Sequence, residues 1–323
     1  MLRKISAIVI PTLIAVGIIA FMLYRVWDDL LVALEHIVWL YLLFATLVCL
    51  GAWILRGYRY QVILKGIGYQ TGLWFSTACI FVSQTANLVI PARLGDLVRV
   101  FILKHEYGAT ISEGISSLVV ERVFDIIMIA VLGALSLPFV LNVPEWFYTV
   151  IILPLVAGAV FFGILLFIGR FSSQNKYIRV FLTMCEQIRN ASLTVRSLFV
   201  LSTTSLVIWI MDIVVCFFVV LMFHQSIPYA VIVLAIVIGN LVKAVPITPG
   251  GIGTYEIALA LTFSIAGVSP AVATLIAVID HLIKNLITLG GGIVSIYYFG
   301  GWVIEAMKSA FDRKMEGGND PGA

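Results

Sequence analysis

Runs of about 20 apolar residues recur along this chain, each long enough for a helix to cross a bilayer. They fall at 5–24, 37–55, 114–141, 148–168, 198–223 and 271–299. Two further apolar stretches, 72–100 and 229–267, are cut by proline and glycine, at "NLVIPARLGDLVR" and "KAVPITPGGIGTYE". Each half of these is short for a span. Lipid offers backbone N–H and C=O groups no partner, so irregular backbone at membrane depth survives only inside protein or beside water. Composition agrees with a membrane setting. The chain is 62% hydrophobic and 11% charged, where a soluble domain has roughly 45–50% and about 25%. Its mean hydropathy is +1.11. The expected fold is an all-α polytopic membrane protein with about six spanning helices and two re-entrant, broken-helix hairpins. Residues 1–300 would form one transmembrane domain and 301–323 a cytoplasmic tail, ending in "EGGNDPGA", which reads as disordered.

Basic residues orient the chain. With the N-terminus in the cytoplasm, 16 of the 20 Lys and Arg residues fall on inside segments. These are Arg3 and Lys4; Arg56, Arg59 and Lys65; Arg93, Arg99 and Lys104; Arg170, Lys176, Arg179, Arg189 and Arg196; and Lys308, Arg313 and Lys314. Arg25 falls outside, beside Asp28, Asp29 and Glu35. The positive-inside rule is satisfied. Arg122, Lys243 and Lys284 are left at membrane depth. Both flanks of each broken stretch obey the rule only when 72–100 enters and leaves from the cytoplasm and 229–267 from outside. The alternative is that each is one irregular spanning helix. The basic start and long run at 5–24 read as a retained signal anchor. The segment 169–197 carries basic and apolar residues at helical spacing, which suits a surface helix drawn to anionic headgroups or a plain connecting helix.

The two breaks resemble each other. "NLVIPARLGD" (87–96) and "NLVKAVPITPGGIGTYE" (240–256) both begin Asn-Leu-Val, break at proline and glycine, and end in an acid. Trp53 and Trp209, Gly108 and Gly267, Glu121 and Asp280, and Gly133 and Gly292 recur at offsets of 156 to 159 residues. This predicts a repeat over about 37–141 and 198–299. The single span 148–168 between the units would invert the second, as in many secondary transporters.

Broken helices aim free N–H groups and partial positive charge into the membrane interior. Thr248, Pro249, Gly250, Gly251, Gly253 and Glu256 therefore read as an anion or headgroup cradle, against the plainer reading of a turn that packs two hairpin arms. Lys243 stands beside that tip as a candidate phosphate contact, and Arg93, Asp96 and Arg99 border the first break. In "ERVFD", Glu121 and Asp125 share a helix face with Arg122 about 100° round. In "DHLIK", Asp280 and Lys284 repeat the spacing, with His281 between them. Asp212 lies at membrane depth opposite Arg56 in the repeat. Such charges face partners or wet cavities, so a polar pathway competes here with ion-pair glue. Cys49, Cys79, Cys185 and Cys216 have neither pairing nor metal spacing, and His36, His105 and His224 are dispersed. No metal site is expected.

The sequence contains no HExxH, Walker loop, DxD or GxSxG. No catalytic residue is assigned, and transport would be passive, ion-coupled or partner-driven. With its motifs placed, the chain resembles the lysylphosphatidylglycerol synthase transmembrane-domain family, often called flippase-like. Arg93, Gly95, Asp96, Arg99, Glu121, Arg122 and Asp125 carry the first half of the likeness. Pro249, Gly250, Gly251, Gly253 and Glu256 carry the second. The resemblance implies a lipid-handling protein. In bifunctional members this domain moves an aminoacylated phospholipid between leaflets and a fused soluble domain makes it. Other members are linked to polyprenyl- or dolichol-linked glycan pathways. Here the tail after the last apolar run is short, so aminoacyl transfer is not implied.

The leading expectation is thus a flippase or scramblase in a prokaryotic cell (plasma) membrane. Arg93, Arg99 and the turn at 248–254 would bind a phosphate-bearing headgroup, because guanidinium suits phosphate. Expected partners are a phospholipid or polyprenyl-linked lipid, the membrane, and a lipid or glycan synthase, with a homo-oligomer left open. No nucleic acid and no cofactor are expected. One alternative is a non-transporting partner of a synthase. Another is a membrane transferase using Glu121, Asp125 or Glu256 as acid or base.

Overall fold

The computed structural model describes residues 37–305 except 91–92, 141–142, 169–170, 172 and 246–247, together with positions 13, 17, 19–24 and 27. The basic N-terminus, most of the proposed anchor at 5–24, the acidic flank at 28–35 and the tail from 306 lie outside the described residues. All regular structure among the described residues is helical. We number the helices after residue 36 as α1 (Trp39–Ile67), α2 (Leu73–Val89), α3 (Asp96–Tyr107), α4 (Ile111–Ser136) and α5 (Glu145–Ile168). There follow α6 (Lys176–Ser192), α7 (Val195–Met222), α8 (Tyr229–Ala244), α9 (Thr254–Ile265) and α10 (Pro270–Phe299). Short 3-10 turns occupy Leu137–Phe139 and Pro249–Gly251. By length and composition, α1, α5, α7 and α10 can cross a membrane, and α2 and α8 are shorter apolar helices. The 26-residue α4 is also long, but it carries Glu113, Glu121, Arg122 and Asp125.

Local chemistry sets the helix ends. Ile90 and Val245, which close α2 and α8, are extended at φ −90°, ψ 119° and φ −79°, ψ 113°. Each precedes a proline, whose ring disfavours helix at the residue before it and whose nitrogen has no hydrogen to donate. Thr110 and Glu113 form a reciprocal capping box at the start of α4. Helix α1 runs on past the apolar stretch expected to end at 55, reaching Ile67 and stopping at Gly68, whose φ of 113° favours glycine. Arg56 and Arg59, expected beyond the end of that apolar run, lie within the helix, and Arg59 is 1% exposed. Arg99, expected on another inside segment, is wholly buried on α3.

Packing is centred on α1 and α7, which lie against each other along their lengths. Helix α2 packs on α10 and α8 on α4, while each broken helix folds back on its sequel, α2 on α3 and α8 on α9. Residues 231–239 of α8 are buried all round. The turn at Pro249–Gly251 packs on α2, so the two breaks meet. Helices α5 and α6 flank α4, and α6 also rests on α1. It buries Cys185, Ile188, Ala191 and Ser192, while Tyr177, Ile178, Val180 and Phe181 stay exposed. All four cysteines are free and buried. Small residues permit the closest approaches. A Cβ at Gly57 would run into Thr77, and one at Gly292 into Thr85. In lipid, where apolar faces gain nothing by leaving solvent, such contacts carry much of helix association.

Gly57→Val is therefore expected to destabilise the fold by about 1–3 kcal/mol through overpacking. Gly163→Val, on α5 with nothing within 4 Å of its Cβ position, is expected to be neutral. Thermal unfolding of the two variants in detergent checks this.

Candidate functional site

A cavity of about 160 Å³ lies between α1, α2, α4, α7, α8 and α10, bounded by both helix breaks. Of the residues singled out in the sequence, Arg93, Lys243, Thr248, Gly250 and Gly251 line it, as do Glu121, Arg122, Asp125, Asp212, His281 and Lys284. Asp96, Arg99, Pro249, Gly253, Glu256 and Asp280 stand behind the wall instead. Arg99 has no exposed surface, pairs with Glu121 and holds its guanidinium 5.0 Å over the Tyr60 ring. Asp96 accepts from Gln84 at 3.1 Å, Asn87 at 2.9 Å and Arg122 at 3.1 Å. Glu256 accepts from the Gly253 backbone N–H at 2.7 Å and pairs with His281 Nδ1 at 2.7 Å. Asp280 accepts from the Tyr255 hydroxyl at 2.7 Å and from Lys284 at 2.9 Å. These buried groups orient the side chains that reach the cavity.

Among the contributors not singled out as site residues are Arg59 and the wall residues Tyr255 and Trp53. Trp209, Asn87, Gln84 and Asn240 also line the cavity. Arg56, expected on an inside segment and opposite Asp212 in the repeat, lines it too and bonds Asp212 at 2.7 Å, joining α1 to α7. Arg59 grips Asp125 with two nitrogens and reaches Ser205 at 2.8 Å, joining α1, α4 and α7. The signal for the arginines was their spacing of three on a stretch that continues as helix. Tyr255 was hidden inside the glycine-rich motif.

A charge at mid-bilayer costs at least about 2.5–3.5 kcal/mol on insertion scales, which explains why most charges here are paired. Two cations are tied differently. Arg93 sits in the left-handed region at φ 53°, sparse for a non-glycine residue, and donates to the Lys243 carbonyl at 3.2 Å. The Lys243 ammonium lies 2.9 Å from His281 Nε2. An ammonium only donates, so Nε2 accepts and the imidazole proton sits on Nδ1, facing Glu256. Among the described residues no group of three or more His, Cys, Asp or Glu side chains is placed to hold a metal ion.

The family model described as "Lysylphosphatidylglycerol synthase TM region" matches residues 8–292. The chain is similar to the glycosyltransferase AglD of Haloferax volcanii, 34% identical over 298 residues that cover 78% of this chain and 48% of AglD. It thus spans about half the length of that relative. A UPF0104 membrane protein of Methanocaldococcus jannaschii is 26% identical over 65% of this chain and 92% of its own length. One of Methanothermobacter thermautotrophicus is 24% identical over 92% of this chain and 95% of its own.

Removing one partner of a buried pair leaves an uncompensated charge, at a cost of about 3–5 kcal/mol. Asp125→Leu alone should lower thermal stability by that order, and Arg59→Met/Asp125→Leu should recover most of it. Melting curves of the single and double variants measure the difference.

Proposed function

Because the chain belongs to the lysylphosphatidylglycerol synthase transmembrane family, we propose that this multi-pass membrane protein moves a phosphate-bearing lipid headgroup between leaflets. One observation carries the reading. Two cations, Arg93 and Lys243, meet in a buried polar cavity at the point where both apolar helices break. In this reading Arg93, Lys243 and the turn at Thr248–Gly251 hold the headgroup. Glu121, Arg122, Asp125, Asp212, His281 and Lys284 line its path, and the acyl chains stay in lipid. The archaeal relatives favour a prokaryotic cell membrane as the location.

The proposal includes the two hairpins and the inverted repeat. Supporting it, corresponding helices make corresponding contacts: α2 on α10 and α8 on α4, about the central pair α1 and α7. Gly292 abuts Thr85 on α2, and Gly133 abuts Val237 on α8. The pair Asp96–Arg122 has its counterpart in Glu256–His281, displaced by 160 and 159 residues. Each acid opens the second arm of a hairpin, and each partner stands on the following long helix. Rocking one unit against the other about α1 and α7 would alternate access to the cavity.

The likeness to AglD favours a second reading, in which the chain serves a glycosyl-transferring enzyme as its membrane partner. Headgroup-resolved lipid translocation in proteoliposomes, with and without an ion gradient, separates the two. Movement above empty vesicles, reduced at least tenfold in a folded Arg93→Ala variant, is the expected result. No movement of any phosphate-bearing lipid under any gradient would sink the transport reading and favour the partner role.

A further inference from the structure

The charge inventory of the cavity says what kind of headgroup suits it, an inference that rests on the lipid reading above. Each carboxylate of the buried cluster is engaged: Asp212 by Arg56, Asp125 by Arg59 and Glu121 by Arg99. Asp96 is taken by Arg122, Asp280 by Lys284, and Glu256 accepts from the neutral His281, whose other nitrogen accepts from Lys243. Among the described residues, the cluster's two cations without a direct carboxylate partner are Arg93 and Lys243, and its seven Lys and Arg side chains exceed its six carboxylates by one positive charge. Both line the cavity, and their placement is built into the backbone. Arg93 is held at φ 53°. A Cβ on Gly251 would meet the Lys243 methylenes at 2.5 Å, so a glycine there lets the lysine pass.

A second observation points the same way. Trp209 Nε1 and Arg122 Nε are buried donors of wall residues with no acceptor in the protein, against one unpartnered acceptor on the wall, Asn87 Oδ1. One surplus positive charge and surplus donors call for a ligand that is negative and mainly accepts. The carboxylates on the wall, Glu121, Asp125 and Asp212, are each held by an arginine, so an ammonium group would find no free carboxylate there. Two aromatic faces are also taken. Trp53 stacks on Phe81 at 4.4 Å with Arg56 5.2 Å from its ring, and Lys243 and Lys284 stand 5.5 and 5.9 Å from the Tyr255 ring. A cavity volume of about 160 Å³ leaves room for a phosphate group, since about 10–15 Å³ on this measure already admits a water.

We propose that the cavity takes an anionic headgroup, a lipid phosphate with no covalently attached cation, seated between Arg93 and Lys243, and that it disfavours aminoacylated and other ammonium-bearing phospholipids. A substrate of this class has its phosphate oxygens toward the guanidinium and ammonium.

The test is displacement of a fluorescent phosphatidic acid from the purified full chain in phosphatidylcholine nanodiscs. Phosphatidic acid, a prenyl monophosphate and phosphatidylglycerol should displace it at concentrations at least tenfold below lysylphosphatidylglycerol. Inorganic phosphate should compete only far above the lipid concentration. Arg93→Gln and Lys243→Gln should each weaken phosphatidic acid binding tenfold or more. Arg93→Lys, which keeps the charge, should retain most of it and so separate charge loss from misfolding. Equal displacement by lysylphosphatidylglycerol and phosphatidylglycerol, unchanged affinity in folded Arg93→Gln and Lys243→Gln, or failure of every lipid to displace the probe would overturn the proposal. So would inorganic phosphate matching the lipids, which would make the site one for a soluble anion. Binding with the expected preference but no translocation would defeat the transport reading and leave this one standing. Translocation without preference would do the reverse.

Discussion

A charge held at membrane depth must find its counter-charge inside the protein, and much of the arrangement of this chain follows from that requirement. Arg56 with Asp212 joins α1 to α7, and Arg59 with Asp125 and Ser205 joins α1, α4 and α7. Arg99 with Glu121 joins α3 to α4, and Glu256 with His281 joins α9 to α10. Apolar faces in lipid gain little by touching one another, so they fix neither the rotation nor the depth of a helix. A bidentate guanidinium–carboxylate pair fixes both, because it tolerates little misalignment. Small residues at Gly57 and Gly292 then let the backbones close to the distance the pairs need.

The broken helices solve a second problem with the same means. Proline stops α2 and α8 inside the protein and leaves backbone that lipid cannot satisfy. An acid follows each break, and the one after the second takes up part of it. Glu256 accepts from the Gly253 N–H, and Asp96 is surrounded by Gln84, Asn87 and Arg122. The breaks are thus sealed on their outer side by buried carboxylates. On the inner side they remain cationic, through Arg93 and Lys243.

Much of the helix layout was legible in the sequence. Apolar runs marked α5, α7 and α10 closely, because a span needs a fixed length of hydrocarbon-compatible residues. The breaks after Ile90 and Val245 were legible because proline acts locally. The far end of α1 was not, since Arg56 reads as the end of a span until its partner is known, and that partner is 156 residues away. The charges at 93–125 and 280–284 stood out individually. Which would face the cavity and which would stand behind it depended on helix rotation, so Arg99 and Asp280 could not be told from Arg122 and Lys284. Tyr255 was the least legible, a wall residue whose contacts arise only when α9 folds onto α10.

The Arg56–Asp212 pair carries a historical consequence. Under the repeat proposed above, these residues occupy equivalent positions on α1 and α7 and face each other across the pseudo-twofold axis. Two identical copies of one ancestral unit would place the same side chain on both sides of that axis, giving arginine against arginine or aspartate against aspartate. The attraction exists only because the halves differ. Under that repeat, a symmetric dimer of either half would lose this pair and set like charges against each other.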